Sequence, residues 1–375
     1  MCIFQVAFGA ICLLYFTIIA LFALGLFFKQ KHGVKPSLSI PISIVVAVRN
    51  EEQVIDRLLR SIFRQHYPLQ RFELVLVNDH SDDATSDIVT QWAKQYPNIS
   101  LVQLPADLAG KKQAVALGIK LAKNDIIVLT DADCTHPKDW LRTISSQYKA
   151  LKADMLIGPV MISTGNSIFS NIQALEHASL TASSIGACGL GIPFMASSAN
   201  LSFSKSRLGF DVQMLNPNQA SGDDVFLLHS AKRKKDFKIY SLTGKDGLVF
   251  TQPAKNVKAF FNQRARWASK STKYTDFTAI SVGFIVLLFN LMLVCLMFLS
   301  LWNPIYLKML AVGFVVKSVA DILMLFPYLK RYHKLSLLNV FVLLQLIYPI
   351  YIVVAFGMAI FTSNTWKGRS GNGNK

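Results

Sequence analysis

The chain has 375 residues, of which 52% are hydrophobic and only 16% are charged, and its formal net charge is +17. This is apolar for a soluble protein, so the composition indicates membrane segments beside a globular domain. The positive charge fits either nucleic acid or an anionic membrane face. We expect the membrane and no nucleic acid, because the chain has no recognition motif and much of its charge flanks apolar segments.

The hydrophobic residues are concentrated in four blocks. They run from about Ile3 to Phe28, Thr278 to Leu301, Ile305 to Leu329 and Leu337 to Phe361. Each block is near or above the length of about 20 residues that a spanning helix needs. The first block is too long for a signal-peptide core and has no basic residue before it. The sequence therefore predicts one transmembrane helix within residues 1–30 and three within residues 278–361.

Basic residues next to these blocks predict the orientation. Lys29, Lys31 and Lys35 follow the first block, which places Met1 outside and the globular domain in the cytoplasm. Lys330 and Arg331 agree if every block spans. The basic residues of the tail would then lie outside, so a re-entrant last block stays open as an alternative. We expect a multi-pass protein of the cell (inner or plasma) membrane with a cytoplasmic catalytic domain.

Residues 39–254 show the alternation of a globular α/β domain. Short apolar runs that indicate strands alternate with helix patterns over the first half of this region. The predicted strands are Ile42–Val48, Phe72–Val77, Ser100–Gln103 and Asp125–Thr130. Such alternation predicts a mostly parallel sheet, whose ligands bind at the carboxyl ends of the strands. Asn50, Asp79 and Asp131 all fall at predicted strand ends.

The pair Asp131 and Asp133 follows a buried strand. Residues two apart in an extended segment point the same way, so both carboxylates can face one ion. Oxygen ligands favour Mg²⁺ or Mn²⁺, which also bind phosphate oxygens. A solvated turn is the alternative interpretation, and this pair alone would favour it.

Three further positions are candidates. Asp79 can accept hydrogen bonds from a base or a ribose, or it can cap a helix. Lys111 opens a predicted helix, where a lysine can meet a diphosphate, although exposed lysines are common. Asp223 and Asp224 precede an apolar helix, either as caps or as a general base with a raised pKa.

Residues 255–274 predict a basic amphipathic helix suited to a membrane interface. It contains the run Gln263-Arg264-Ala265-Arg266-Trp267. Arg264 and Arg266 are two residues apart and cannot share one helix face, so at least one can turn toward an active site. In the third hydrophobic block, the i, i+4 spacing of Lys317 and Asp321 allows an ion pair. Charges at that depth are often functional, but mutual neutralisation is the favoured explanation.

In this order, these residues resemble the inverting family 2 glycosyltransferases with membrane helices. That group includes the cellulose, hyaluronan and poly-N-acetylglucosamine synthases and the ceramide glucosyltransferases. Residues 48–52 are similar to its first strand-end motif, and Asn78-Asp79-His80-Ser81 is similar to its Asp-Asp-Gly-Ser motif. Asn and His replace the first and third residues of the latter. Gln263–Trp267 fits the family's Q-(Q/R)-x-R-W in full.

The resemblance implies a GT-A nucleotide-diphospho-sugar transferase fold, a UDP-sugar donor and inversion in one displacement. It implies donor binding by residues of the sheet rim, with the metal held by Asp133 and Asp131, and Asp224 as the base. The implied donor-binding residues are Asn50, Glu51, Asp79, Lys111, Asp131 and Asp133. The segment implied to hold the acceptor side and the diphosphate provides Gln263, Arg264, Arg266 and Trp267.

Three functions are compared. The first is transfer of one or a few sugars to a lipid or lipid-linked acceptor. The second is a processive polysaccharide synthase, which would need an oligomer or partner subunit because four helices are few for a channel. The third is a non-enzymatic nucleotide-binding scaffold at the membrane. The Gly/Asn-rich tail, residues 362–375, is expected to be disordered.

Overall fold

The computed structural model describes residues 2–28, 39–165, 167–217, 222–271, 273–361, 365–366 and 369–370. Lys29, Lys31 and Lys35, on which the predicted orientation depends, lie outside these ranges. The helices, numbered along the chain, are α1 (Cys2–Gly25), α2 (Ile55–Phe63), α3 (Thr85–Gln95), α4 (Lys111–Leu121), α5 (Trp140–Leu151), α6 (Ile168–Gly189), α7 (Lys205–Leu208), α8 (Asp223–Lys232), α9 (Val257–Ser271), α10 (Phe277–Leu299), α11 (Pro304–Arg331) and α12 (Phe341–Phe361). Short 3₁₀ turns lie at Leu69–Arg71, Ser198–Asn200, Val212–Leu215, Lys245–Gly247 and Leu335–Val340.

The strands are β1 (Ile42–Val48), β2 (Phe72–Asn78), β3 (Ile99–Gln103), β4 (Ile126–Leu129), β5 (Met155–Ile157), β6 (Val160–Ile162), β7 (Leu201–Ser204), β8 (Ile239–Ser241), β9 (Val249–Thr251), β10 (Thr365–Trp366) and β11 (Arg369–Ser370). Seven of them form one sheet in the order β3-β2-β1-β4-β7-β5-β8. Only β7 runs antiparallel to its neighbours, β4 and β5, within this sheet. The predicted mostly parallel sheet is confirmed.

The contacts divide the chain into two compact units. The sheet unit comprises the described residues of Lys29–Met161, Met195–Gln252 and Asn364–Lys375. The helical unit comprises those of Met1–Phe28, Ile162–Phe194 and Pro253–Ser363. Each unit is therefore assembled from separated chain segments, and residues 162–194 group with the hydrophobic helices rather than with the sheet.

Helices cover both faces of the sheet in the sheet unit. Ile42, Ile44 and Val46 alternate along β1 and share one core cluster with apolar residues of α2 and α5. Helix α4 packs against β1 and β2. Since β1 and β2 are buried on both faces, their sequences are mostly apolar rather than alternating. The buried polar pair near their starts is satisfied internally, because the Ser43 hydroxyl donates to Glu73 Oε1 at 2.5 Å.

The helical unit contains the predicted membrane helices. Among the described residues, four helices are long and apolar enough to cross a membrane: Ile3–Gly25, Phe277–Leu299, Pro304–Arg331 and Leu335–Met358.

The ion pair expected of Lys317 and Asp321 is confirmed, at 2.6 Å between Nζ and Oδ2. Gln345 bonds both side chains, and the Tyr15 hydroxyl donates to Asp321 Oδ1 at 2.7 Å. This network neutralises the charges inside an apolar bundle.

Helix α6 was not predicted from the sequence. It has 22 residues, most of them buried, yet it lacks an apolar stripe. Its backbone packs directly on α1, because Gly186 has no side chain there: a Cβ at this position would overlap the carbonyl of Phe22. Gly25 and Gly189 make the same kind of close approach. Small residues that permit backbone contact replace the hydrophobic periodicity that would have signalled a helix.

The tail for which disorder is predicted, residues 362–375, lies mostly outside the described residues. Within it, β10 and β11 pair antiparallel.

Candidate active site

Two loops at the carboxyl ends of β1 and β2 are joined by hydrogen bonds. Asn50 Oδ1 accepts from the Asp82 N–H at 3.1 Å, and the Asn50 N–H donates to Ser81 Oγ at 3.0 Å. The Glu51 N–H donates to Thr85 Oγ1 at 2.8 Å. Asn50 and Glu51 thus lie at the sheet rim, where these contacts shape the loops. Their predicted contacts with a donor stay predictions.

Asp79 lies directly after β2 and is fully buried. Its Oδ2 accepts a hydrogen bond from the Gly110 N–H at 3.0 Å. This contact ties the strand end to the residue that precedes α4. Contact of Asp79 with a base or ribose stays a prediction.

Lys111 is the first residue of α4 and reaches across the rim. Its Nζ lies 2.7 Å from Asp131 Oδ1 and 2.8 Å from Ser198 Oγ. Burial acts to lower the pKa of Lys111, but Asp131, followed by Asp223 and Asp224, outweighs it and raises that pKa well above its ordinary value. These carboxylates therefore favour the charged form of Lys111.

The two aspartates after β4 lie on one side of the chain. Asp131 and Asp133 are partly exposed, whereas Ala132 and Cys134 between and after them are buried. Asp133 Oδ2 accepts from Thr251 Oγ1 of β9 at 2.8 Å. This alternation leaves both carboxylates accessible at the same face of the rim.

The carboxylates of Asp131 and Asp133 are suitable ligands for a metal ion whose coordination a substrate completes. In the part of the chain that the structure describes, no group of three or more His, Cys, Asp or Glu side chains is placed to hold a metal. Mg²⁺ and similar ions in phosphate-handling sites are usually held by one or two carboxylates and completed by substrate phosphates and water. Asp131 and Asp133 match that requirement, and they do not form a cage that would hold an ion without a substrate.

The two carboxylates at the start of α8 have different surroundings. Asp223 is buried, and its Oδ2 has no hydrogen-bond partner among the described residues. Burial raises the pKa of Asp223, Lys111 opposes that rise, and Asp224 adds to it. Asp224 is partly exposed, and its Oδ2 accepts from the Ser198 N–H at 3.2 Å. Asp224 is the more accessible of the pair, and Asp223 has the more perturbed environment.

Ser198 connects these groups, and sequence reasoning missed it. Its hydroxyl contacts Lys111 and lies 3.4 Å from Asp131 Oδ1, while its N–H binds Asp224. The residue lies in the 3₁₀ turn before β7. A serine in an ordinary run of small residues carries no motif, so no sequence signal pointed to it. Through Ser198, carboxylates from β4 and α8 meet at one place on the sheet rim.

The Gln263–Trp267 run lies on α9, in the helical unit. Arg264 is buried there and forms a two-pronged ion pair with Glu176 of α6, with Nε 3.3 Å from Oε1 and Nη2 bonded to Oε2. The Tyr351 hydroxyl also donates to Glu176 Oε1, at 3.1 Å. The structure therefore places Arg264 inside the helical unit, in contacts that differ from those of a substrate ligand. Glu176 and Tyr351 had no assigned role from the sequence.

Aromatic rings complete the surroundings of Arg264. Its guanidinium carbon lies 4.1 Å from the centre of the Trp267 ring and 4.6 Å from that of Phe260. Gln263 Oε1 accepts from Arg264 Nη1 at 2.7 Å. Arg266 is partly exposed and, being two residues along the helix, lies on a different side.

Comparisons with known proteins agree with this architecture. The profile of "Glycosyl transferase family 2" matches residues 43–193, and that of "Glycosyl transferase family group 2" matches residues 126–363, well over half of the chain. A beta-monoglucosyldiacylglycerol synthase of Trichormus variabilis is 32% identical over 129 residues, which cover 33% of this chain and 28% of that protein. Glycosyltransferase AglE of Haloferax volcanii is 26% identical over 222 residues, 57% of this chain and 67% of that protein.

One solved structure has the same fold along nearly the whole chain. It is the mannosyltransferase PcManGT from Pyrobaculum calidifontis in complex with GDP-Man and Mn²⁺, with a TM-score of 0.56 and 18% identity, covering 95% of this chain and 96% of that one. The match to the synthase spans only about a quarter of that relative's length. The expected GT-A-like α/β fold is confirmed, and by its sequence profile the chain belongs to the family 2 glycosyltransferases.

Proposed function

We propose that the protein transfers a sugar from a nucleotide donor, with UDP as the expected nucleotide, to a lipid or lipid-linked acceptor at a membrane surface. The observation that carries this proposal is the cluster of Lys111, Asp131, Ser198 and Asp224 at the carboxyl rim of the sheet. It combines a fixed cation, accessible carboxylates for a metal and a further carboxylate close by. A diphosphate leaving group and an acceptor hydroxyl need these groups together.

In the proposed donor site, Asp131 and Asp133 would hold Mg²⁺ or Mn²⁺ next to the donor's diphosphate. When bound, the ion offsets the negative charge that the leaving diphosphate develops. Lys111 can contact the same diphosphate from the first turn of α4, where the helix N-terminus also favours an anion. The bound GDP-Man and Mn²⁺ of the mannosyltransferase with the same fold support this arrangement.

In the proposed chemical step, the acceptor hydroxyl attacks the anomeric carbon as the bond from that carbon to the diphosphate oxygen breaks. The hydroxyl proton passes to Asp224, and the single displacement inverts the anomeric centre. Asp224 is proposed over Asp223 because it is partly exposed and because the Ser198 N–H orients it. Asp223 is too buried to reach a substrate directly.

The acceptor is proposed to be a lipid because four helices among the described residues are long and apolar enough to cross a membrane, and because one relative is named as a beta-monoglucosyldiacylglycerol synthase. Arg266 is proposed to pair with the diphosphate, and Gln263 and Trp267 to contact the acceptor side. Arg264 is proposed to position them. The lysines after the first hydrophobic block support a cytoplasmic active site in a multi-pass cell-membrane protein.

A turnover screen tests the proposal. Purified protein in lipid is given UDP-glucose, UDP-GlcNAc, UDP-galactose or GDP-mannose with a membrane lipid extract, with Mg²⁺, Mn²⁺ or EDTA. We expect one donor to label a lipid product carrying one or a few sugars, with the activity lost in EDTA and in Asp133→Ala. A long polymer would favour the processive synthase with its partner subunit. Binding of a nucleotide with no transfer from any donor would favour the scaffold and overturn the proposal.

A further inference from the structure

His80 has a positive φ, which is uncommon for any residue other than glycine. Its φ is 52°, in the left-handed region that glycine adopts most easily. The family motif that Asn78–Ser81 resembles has glycine at this position. The Arg49 guanidinium holds the strained backbone by donating to the carbonyls of Asp79, at 2.7 Å, and His80, at 3.3 Å. Unfavourable backbone conformations that the surrounding structure holds in place are common at functional sites.

The His80 side chain binds the loop before α4. Its Nε2 lies 3.0 Å from the carbonyl oxygen of Leu108. Since a carbonyl can only accept, Nε2 carries the proton and donates it. Two residues further on, the Gly110 N–H donates to Asp79 Oδ2 at 3.0 Å. Adjacent residues at the end of β2 therefore hold two points of the same loop.

That loop, residues 105–110, leads directly into Lys111. Most of it is exposed, and Gly110 adopts a φ of 98° with open space where a Cβ would be. Within the loop, the Leu108 N–H donates to the Pro105 carbonyl at 2.9 Å, and the placement of such an exposed turn depends mainly on contacts with neighbouring segments. The bonds from His80 and Asp79 thus contribute directly to where α4 begins, and so to where Lys111 meets Asp131.

Asn78, the other departure from the family motif, ties the same strand end to its surroundings. Its Nδ2 donates to Gln103 Oε1 of β3 at 2.7 Å and to Ser86 Oγ at 2.9 Å. The two residues that depart from the family motif therefore both use a side-chain nitrogen as a donor. Neither an ionised aspartate at position 78 nor a glycine at position 80 has such a donor.

We propose that His80 is a positioning residue for the donor: it clamps loop 105–110 to the end of β2 and so presents the Gly110–Lys111 helix start to the diphosphate of a nucleotide sugar. This inference rests on the proposed function. On this proposal, the unfavourable backbone conformation of His80 is retained because it allows the bond to Leu108. Relieving that conformation should therefore stabilise the fold, whereas losing the bond should weaken donor binding.

Three variants test the clamp. His80→Gly relieves the backbone and removes the bond, so the melting temperature should stay equal or rise while the donor KM rises about tenfold, the effect of one lost hydrogen bond. His80→Asn tolerates the left-handed conformation but is too short to reach Leu108, and should behave like His80→Gly in KM. His80→Gln has an amide nitrogen at comparable reach and should restore most of the affinity. We expect kcat to stay within about twofold in all three, since His80 is not placed at the reacting atoms.

Hydrogen exchange of the backbone amides of residues 106–112 provides a readout that does not depend on turnover. Exchange should accelerate in His80→Gly and His80→Asn and stay near wild type in His80→Gln. An unchanged donor KM or unchanged exchange in His80→Gly would overturn the inference. If the wild-type protein transfers no sugar at all, the proposed function has failed, and the exchange comparison alone decides whether His80 clamps the loop.

Discussion

Arg264 and Glu176 form a buried ion pair that joins α9 to α6, and the Arg264 guanidinium also contacts the rings of Trp267 and Phe260. Both side chains are almost inaccessible to solvent. The pair fixes the helix that carries Gln263, Arg266 and Trp267 against the helical unit. The two arginines of this run therefore have different surroundings, and mutations can test whether their roles differ as well.

Loss of Arg264 should destabilise the fold. Arg264→Met keeps most of the side-chain length but leaves Glu176 as an unpaired buried charge, which typically costs about 3–5 kcal/mol. Lys258→Met is the matched control, because Lys258 is exposed on the same helix and should change stability by less than about 0.5 kcal/mol. Thermal unfolding of the two variants in the same lipid or detergent measures the difference. Similar melting temperatures for both would mean that the ion pair does not stabilise the unit.

Arg266 should matter for activity and little for stability. Arg266→Lys keeps the charge but loses the planar pair of donors that binds a diphosphate at two points. We expect kcat/KM to fall about 10- to 100-fold, as for the loss of a charge-assisted hydrogen bond, with an unchanged melting temperature. Kinetics and unfolding measured on one preparation check this. A variant as active as wild type would remove the role proposed for Arg266.

Mutations of the two carboxylates at the start of α8 should have different effects on sugar transfer. Asp224→Asn should keep donor binding and lose about 10²–10⁴-fold in transfer rate, the usual contribution of a general base. Nucleotide affinity by calorimetry and product formation by radiolabel transfer distinguish binding from chemistry. Severe loss in Asp223→Asn combined with near-normal Asp224→Asn would assign the base to the neighbouring residue.

Asp223 should also make stability depend on pH. Burial raises the pKa of Asp223 in the folded protein above its value in the unfolded chain. Its protonated form is therefore favoured by folding, and its contribution is full below the unfolded pKa and is lost as the pH rises through the folded pKa. Asp223→Asn mimics the neutral acid, so its melting temperature relative to wild type should be higher at pH 8 than at pH 4. A difference that is constant with pH would contradict the buried-acid assignment.

The contact between α1 and α6 should tolerate no side chain at Gly186. Gly186→Ala would drive a methyl group into the Phe22 backbone, and overpacking of this kind typically costs about 1–3 kcal/mol. Gly9→Ala, also on a helix of this unit, is the control, since a Cβ there meets nothing within 4 Å. Unfolding temperatures should fall for Gly186→Ala and stay level or rise for Gly9→Ala. Equal behaviour would mean that α1 and α6 do not pack backbone to backbone.

Much of the fold could be predicted because its signals are local. The mostly apolar runs of β1 and β2 and the four hydrophobic blocks can be recognised within short stretches of sequence, and the structure confirms them as strands and long apolar helices. Helix α6 lacked such a signal, since its burial depends on glycine and hydrogen-bonding side chains rather than on periodicity.

By itself the sequence determined the α/β class, the long apolar helices and the family. The strand patterns, the hydrophobic blocks and each motif are short runs of neighbouring residues, so they can be recognised without a structure. Only the tertiary structure decided which polar side chains contact one another. Ser198 reaches Lys111 across 87 positions of the chain, and Glu176 reaches Arg264 across 88. Nothing local distinguishes that serine or that glutamate from others of their type. Their partners are set by sheet order and helix packing, which bring together residues that are far apart in the sequence.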